Sequence, residues 1–307
     1  MGGGGGLWEL CRNAAAVPSP AQRGRVRVGA SGARGLDDPL ARIVGAVRAA
    51  TGVDFSHYTP ATLRRRIERR MRAAGLTTMD GYAALLDRDH GEAAGLCKEM
   101  LFAVTRFFRD EAAFRVLAGR AVEGLMAGRE GPGAIRVWVC GCATGEEAYS
   151  IAILFAEARE RLGRDDGVTI LATDIDRRAL ELASLGAYSD AIAEEVSPER
   201  LARFFVRQGE RYTVAPDIRR TVDFAPHDVT RDPPLTGIAL VSCRNLLIHR
   251  DPPERRGILE RFRQALRPDG FLFLGTGETP DGLEPDFHLL EPRATLLRRS
   301  PPPPPSS

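Results

Sequence analysis

The feature that most limits what this chain can fold into is a change of hydrophobic period near residue 133. Beyond it, residues 135–139 and 168–173 are short apolar runs rich in β-branched side chains, each followed by a loop and a helical stretch. Residues 238–242 form a third run, ahead of a helix expected over about 253–266, a turn at Pro268, Asp269 and Gly270, and a strand over 271–274. Strands alternating with helices predict a parallel sheet, because parallel neighbours need a crossover between them. The runs are apolar at successive positions, so helices must cover both faces of that sheet. An insert over 188–226 interrupts the alternation. Within it, residues 211–214 and 219–224 alternate in polarity and predict a small antiparallel hairpin at the sheet edge.

Ahead of the sheet the period is helical. Leu40, Ile43, Val44 and Val47 share one helix face, and Leu63, Ile67 and Met71 recur at every fourth position, so 37–108 reads as a small all-α domain. The helix carrying Leu63 also carries Arg64, Arg65, Arg66, Arg69, Arg70 and Arg72 against one acid, Glu68. On charge alone that face is either solvated or a docking surface. Residues 109–132 read as linker and first helix of the α/β domain, and 133–299 as that domain. Residues 1–36, glycine-rich at Gly2 to Gly6, cannot bury a core and are expected to be disordered; 300–307, with Pro301 to Pro305, read as an extended tail.

Composition excludes several function classes. With 43 basic against 41 acidic residues the net charge of +2 does not advertise a polyanion. Every basic residue except Lys98 is arginine, so a single arginine carries little information. Five scattered cysteines, Cys11, Cys97, Cys140, Cys142 and Cys243, make no secreted disulfide framework, and no apolar run approaches the ~20 residues that span a bilayer. A cytoplasmic location with no membrane insertion is expected. Cys140 and Cys142 offer two ligands where structural zinc takes four, so no metal is expected. His57, His90, His227, His249 and His288 do not cluster; only His249, just after Asn245, is placed to line a site mouth.

The chemistry is concentrated where the first strand runs through Gly141, Cys142, Ala143, Thr144 and Gly145 into a helix beginning at Glu146 and Glu147. A small-residue turn of this kind lets a ligand approach the helix N-terminus. It lacks the Lys-Ser/Thr of a phosphate loop and the three-glycine dinucleotide spacing. Two glutamates repel a pyrophosphate and welcome a cation, although they also complement the helix dipole. Asp174 closes the next strand, near where α/β nucleotide binders place a carboxylate on ribose hydroxyls. Small-residue loop, acidic helix start and ribose carboxylate together suit S-adenosylmethionine, a nucleoside carrying a sulfonium and no phosphate.

Five ordered motifs then carry a resemblance: Val104 to Asp110 (VTRFFRD), Cys142 to Ser150 (CATGEEAYS), Ala172 to Asp176 (ATDID), Cys243 to Asn245 (CRN) and Leu266 to Gly270 (LRPDG). Over about residues 37–299 the chain resembles the CheR family of chemotaxis-receptor glutamate methyltransferases. The resemblance implies an α/β fold: a class I, Rossmann-like methyltransferase domain with an inserted antiparallel β-subdomain, preceded by a small all-α domain. It also implies cofactor contacts from Thr105 and Arg109, with Arg109 on the methionyl carboxylate, from Glu146 on the amino end, from Asp174 on the ribose, and from Asp228 and Val229 on the adenine. Asn245, with Arg244 and Leu246, would wall the transferred methyl, so Asn245 and Arg109 are the expected catalytic pair. Ala103 stands where many relatives carry Asn, at the cost of one hydrogen bond of about 0.5–1.5 kcal/mol.

The implied reaction methylates glutamate side chains on the cytoplasmic helices of membrane chemoreceptors and releases S-adenosylhomocysteine. A glutamate is already ionised at neutral pH, so no general base is needed. By the same resemblance Arg65, Arg66, Arg69 and Arg70 would meet the acidic receptor. The short segment from Phe205 to Tyr212 suggests binding independent of a receptor pentapeptide, and a monomer is expected. The competing readings are a class I methyltransferase for nucleic acid or a small molecule, disfavoured by the Cys-Arg-Asn-Leu loop, and a catalytically silent signalling scaffold, for which Ala103 is the one supporting feature.

Overall fold

The structure is a computed structural model describing residues 38–56, 58, 60–101, 105–128, 134–164 and 167–301. The expectations for 1–36, for 302–307 and for Ala103 fall outside these residues.

Four helices form the first unit: α1 (Pro39–Thr51), α2 (Pro60–Ala73), α3 (Met79–Leu86) and α4 (His90–Leu101). Asp38 caps α1 and Thr78 caps α3, each accepting a backbone N–H of the first turn, and Gly52 ends α1 in the left-handed region at φ 77°. Leu40, Ile43, Val44 and Val47 meet Leu63, Ile67 and Met71 in one core, closed by Tyr82, Leu86, Leu96 and Met100. The helical spacing read from the sequence is therefore the packing face.

After the linker, α5 (Glu111–Leu117) and α6 (Glu123–Ala127), joined by a π-helical turn, lead into the sheet. Its strands are β1 (Ile135–Cys140), β2 (Val168–Asp174), β6 (Val222–Pro226), β7 (Ile238–Cys243), β8 (Leu266–Leu274), β9 (Phe287–Glu291) and β10 (Leu296–Arg299). Their order is β6-β2-β1-β7-β8-β10-β9; β6, β2, β1, β7 and β8 run parallel, and β10 is antiparallel to β8 and β9. Alternate residues face opposite layers. Val137 and Val139 pack with α5, α6 and α7 (Glu146–Arg161), whereas Trp138 and Cys140 pack with α11 (Pro252–Ala265). The turn expected at Pro268 to Gly270 lies within β8 as an irregularity, with Asp269 at φ 64° and the pairing to β7 shifted.

The insert corrects one expectation. After α8 (Arg177–Leu185), β3 (Ala187–Ser189), β4 (Phe205–Gln208) and β5 (Arg211–Val214) form a separate antiparallel sheet in the order β3-β5-β4, with α9 (Pro198–Phe204) before β4. Residues 211–214 pair with Phe205–Gln208 and Ala187–Ser189, not with 219–224. Beyond α10 (Pro216–Arg219), residues 222–224 belong to β6 in the main sheet, paired with β2. Their alternation arises because β6 is an edge strand, with Val222 buried and Asp223 exposed.

Candidate active site

The carboxyl ends of β1, β2 and β7 converge, and non-glycine residues in the left-handed region gather around them: Phe108 (φ 46°), Asp110 (φ 71°), Ala143 (φ 46°) and Asn245 (φ 60°). Such strain persists only where surroundings over-determine it, so the source of each restraint matters.

The loop after β1 is pinned to β2. The amides of Gly141 and Cys142 donate to the Thr173 carbonyl at 2.8 and 3.0 Å, and the Ala143 amide donates to Asp174 Oδ2 at 2.9 Å. Asp174 Oδ1 accepts the Asp176 amide at 2.9 Å. Gly141 and Gly145 take φ of 74° and 95°; a Cβ on Gly141 would come 2.9 Å from a Leu246 methyl, so the loops after β1 and β7 touch. Tyr188 of the insert donates its hydroxyl to the Thr144 carbonyl at 2.8 Å.

Glu146 begins α7 with its side chain inside; both its oxygens accept from Thr144 Oγ1, and the Thr105 hydroxyl reaches it from the linker. Burial pushes the carboxyls of Glu146 and Asp174 above the usual range. The charged neighbours acting on them, Glu195 and Asp176, are acidic and push the same way. Two desolvated carboxylates in an acidic field, bordering a small-residue turn, fit a ligand with hydroxyl and cationic groups and do not fit a phosphate.

The linker is held from three sides. Phe107 and Phe108 donate their amides to Glu195 Oε2 (2.8 Å) and Ser150 Oγ (3.0 Å), and the Arg109 carbonyl accepts from Arg244 Nη1 at 2.8 Å. Arg244, expected beside Asn245 at the methyl wall, directs its side chain into the protein. Its side chain is 2% exposed, lies against the rings of Phe114 and Phe273, and faces Asp110 at 3.4 Å and Glu147 at 3.8 Å. Glu147 likewise turns inward, accepting from Ser242 Oγ at 2.7 Å.

Asp228 and Val229 follow β6. Val229 is buried, and Asp228 Oδ1 accepts from the Thr230 amide and hydroxyl at 2.9 and 2.6 Å. Asp228 and Ile175 line a cavity of about 580 Å³ whose far wall is Gly52, Val53 and Asp54 of the helical unit. The helical unit also reaches the loop after β7: Tyr58 bridges the Arg250 backbone, its hydroxyl accepts from Arg250 Nη2 at 3.1 Å, and its ring stacks on His249 at 6.3 Å. His249 does lie in this seam, where burial and the nearby Arg66, Arg250, Arg65 and Arg109 hold its pKa down.

Two features escape sequence reading. Glu278, buried after β8, accepts from four backbone amides of the neighbouring turns. The arginine-rich face of α2 is largely spoken for: Arg66 donates to the carbonyls of Glu99 and Met100, Arg69 pairs with Glu99 at 3.1 Å, and Arg70 makes two hydrogen bonds to Glu92. Arg64 and Arg65 are exposed.

Fold and site define a class I S-adenosylmethionine-dependent methyltransferase. Residues 103–295 match the "CheR methyltransferase, SAM binding domain" and 38–101 the "CheR methyltransferase, all-alpha domain". The chain belongs to the CheR methyltransferase family. It is 32% identical to the "Chemotaxis protein methyltransferase" of Escherichia coli K12 over 82% of this chain and 88% of that protein. It is 32% identical to "Chemotaxis protein methyltransferase 2" of Pseudomonas aeruginosa over 74% and 81%. A protein of Rhodobacter capsulatus described as "Uncharacterized 104.1 kDa protein in hypE 3'region" is 41% identical over 88% of this chain, which spans 28% of that protein's length.

Proposed function

We propose that the chain transfers the methyl of S-adenosylmethionine to glutamate carboxylates on the cytoplasmic helices of chemoreceptors, acting in chemosensory adaptation as a protein-glutamate O-methyltransferase. The observation that carries this reading is the pairing of two unneutralised, desolvated carboxylates, Glu146 and Asp174, at the carboxyl edge of a class I sheet, in a chain similar along its length to chemotaxis methyltransferases.

The cofactor brings an electrophilic methyl on a sulfonium. Glu146 and Thr105 would hold its amino end, Asp174 its ribose, Asp228 and Val229 its base, and Arg109 its carboxylate. A glutamate nucleophile, unperturbed pKa about 4.3, arrives ionised, so this chain has no proton to move; it aligns two charged reactants and excludes water. Asn245 and Leu246 would border the reacting carbon, while Arg244 acts behind them by fixing the linker that carries Arg109. Arg65, with the exposed part of Arg69, would face the acidic receptor; Arg66 and Arg70 serve the domain's own packing. The two residues joining β4 to β5, Gly209 and Glu210, leave a short hairpin, which supports binding independent of a receptor pentapeptide. Among the described residues no helix is long and apolar enough to cross a membrane.

The test is calorimetric titration with S-adenosylmethionine and S-adenosylhomocysteine, for the wild type and Asp174→Ala, followed by labelled methyl transfer to a receptor cytoplasmic fragment. Binding lost in the variant, and label released from the receptor as methanol by alkali, are expected. Alkali-stable label would mean N- or C-methylation; no label would leave the substrate elsewhere.

A further inference from the structure

Glu278 is a buried carboxylate, 3% exposed, with hydrogen bonds on both oxygens. Oε1 accepts from the amides of Leu247 (2.7 Å) and Ile248 (3.3 Å), and Oε2 from those of Asn245 (3.1 Å) and Gly275 (2.6 Å). Three of these donors belong to the turn after β7, in which Asn245 is held at φ 60°. A Cβ on Gly275 would lie 2.7 Å from Glu278 Oε2 and 3.0 Å from the Asn245 nitrogen, so glycine is what allows the two loops to close on the carboxylate. Burial pushes the Glu278 carboxyl up, and the four backbone amides that point at it oppose that shift only in part. The network is fully satisfied only by a carboxylate, since a side-chain amide offers one accepting oxygen and turns two donors toward two donors.

We propose that Glu278 is a positioning residue for methyl transfer: through three backbone hydrogen bonds to the turn that presents Asn245, and a fourth to Gly275 in its own loop, it fixes that turn and so sets the rate of the chemical step while touching neither substrate nor cofactor. The role rests on the reading that the Asn245 turn borders the transferred methyl.

The experiment compares full-length wild type, Glu278→Gln, Glu278→Asp and Gly275→Ala. S-adenosylhomocysteine titration gives affinity and the fraction of binding-competent protein, and turnover on a receptor cytoplasmic fragment is expressed per binding site. Glu278→Gln is expected to lower kcat per site at least ~10-fold, with cofactor affinity and receptor KM changed less than ~3-fold and faster amide exchange at Asn245, Leu247 and Ile248. Glu278→Asp should recover part of the rate. Gly275→Ala, which displaces the carboxylate without removing it, should reproduce the loss and covers the case in which Glu278→Gln does not fold. A wild-type rate per site in both Glu278→Gln and Gly275→Ala would overturn the proposal, as would losses explained wholly by a smaller competent fraction. A wild type that binds cofactor but leaves the receptor unlabelled would overturn the functional reading and this role together.

Discussion

Arg70→Ala should destabilise the helical unit by about 1–2 kcal/mol, whereas Arg65→Ala on the same helix should cost less than about 0.5 kcal/mol. Arg70 donates from Nε and Nη2 to the two oxygens of Glu92 at 3.1 and 2.5 Å, and Tyr82 donates its hydroxyl to Glu92 Oε1 at 2.6 Å. The two charged side chains are 31% and 15% exposed. A hydrogen bond to a charged group contributes roughly 1.5–3 kcal/mol net, an exposed ion pair about 0–1, and breaking a buried pair costs about 3–5. A half-screened bidentate pair that leaves Glu92 still bonded to Tyr82 falls low in that span. If the helical unit melts by itself, each kcal/mol moves its midpoint by roughly 4–8 °C. Thermal melts of the full chain followed by helix signal, with amide exchange in α4 as the local readout, measure this. Equal melting of the two variants would refute the division of the arginine face into packing and free residues. Arg65→Glu adds the functional half: it should weaken receptor methylation while leaving cofactor affinity and the melting midpoint unchanged.

The raised carboxyls of Glu146 and Asp174 imply that cofactor affinity falls with acid from a higher pH than an ordinary carboxylate would give, by up to about tenfold per unit for each titrating group. Because their folded pKa lies above the unfolded one, these groups favour the ligand-free fold at low pH and disfavour it as pH rises through the folded value; calorimetry from about pH 8 to about pH 5 should show both trends, and a flat Kd would contradict the assignment. Gly141→Ala should cost about 1–3 kcal/mol and weaken cofactor binding, by strain at φ 74° plus the collision with Leu246, while Gly163→Ala, at φ 60° in open space, should lower stability alone. Arg244→Met strands the largely buried Glu147 without its cation and should cost roughly 3–5 kcal/mol in a melt.

The alternation of apolar runs with helical stretches made the parallel sheet legible, since strands covered on both faces carry a strong local signal. The hairpin was misplaced for the opposite reason: β4 buries only Phe205 of its four residues and has no periodic signal, whereas edge strand β6 has one. Asp174 and Glu146 were readable because strand ends and helix starts mark them. Glu278 and the partners of Arg66 and Arg70 were not, because their meaning lies in amides, carbonyls and carboxylates brought together from distant segments. Arg244 resembled a polar loop residue, and its inward course is set by Phe114, Phe273 and Glu147.

The central place of β1 has a consequence for biosynthesis. Val137 to Val139 face β2 on one side and Leu240 to Ser242 of β7 on the other, so the first strand of the sheet to leave the ribosome is flanked at the end by a strand made much later. At about 5–20 residues per second the edge of β1 stays open for on the order of ten seconds. During that interval the nascent chain presents an uncovered apolar edge, the kind of template on which unpaired strands associate.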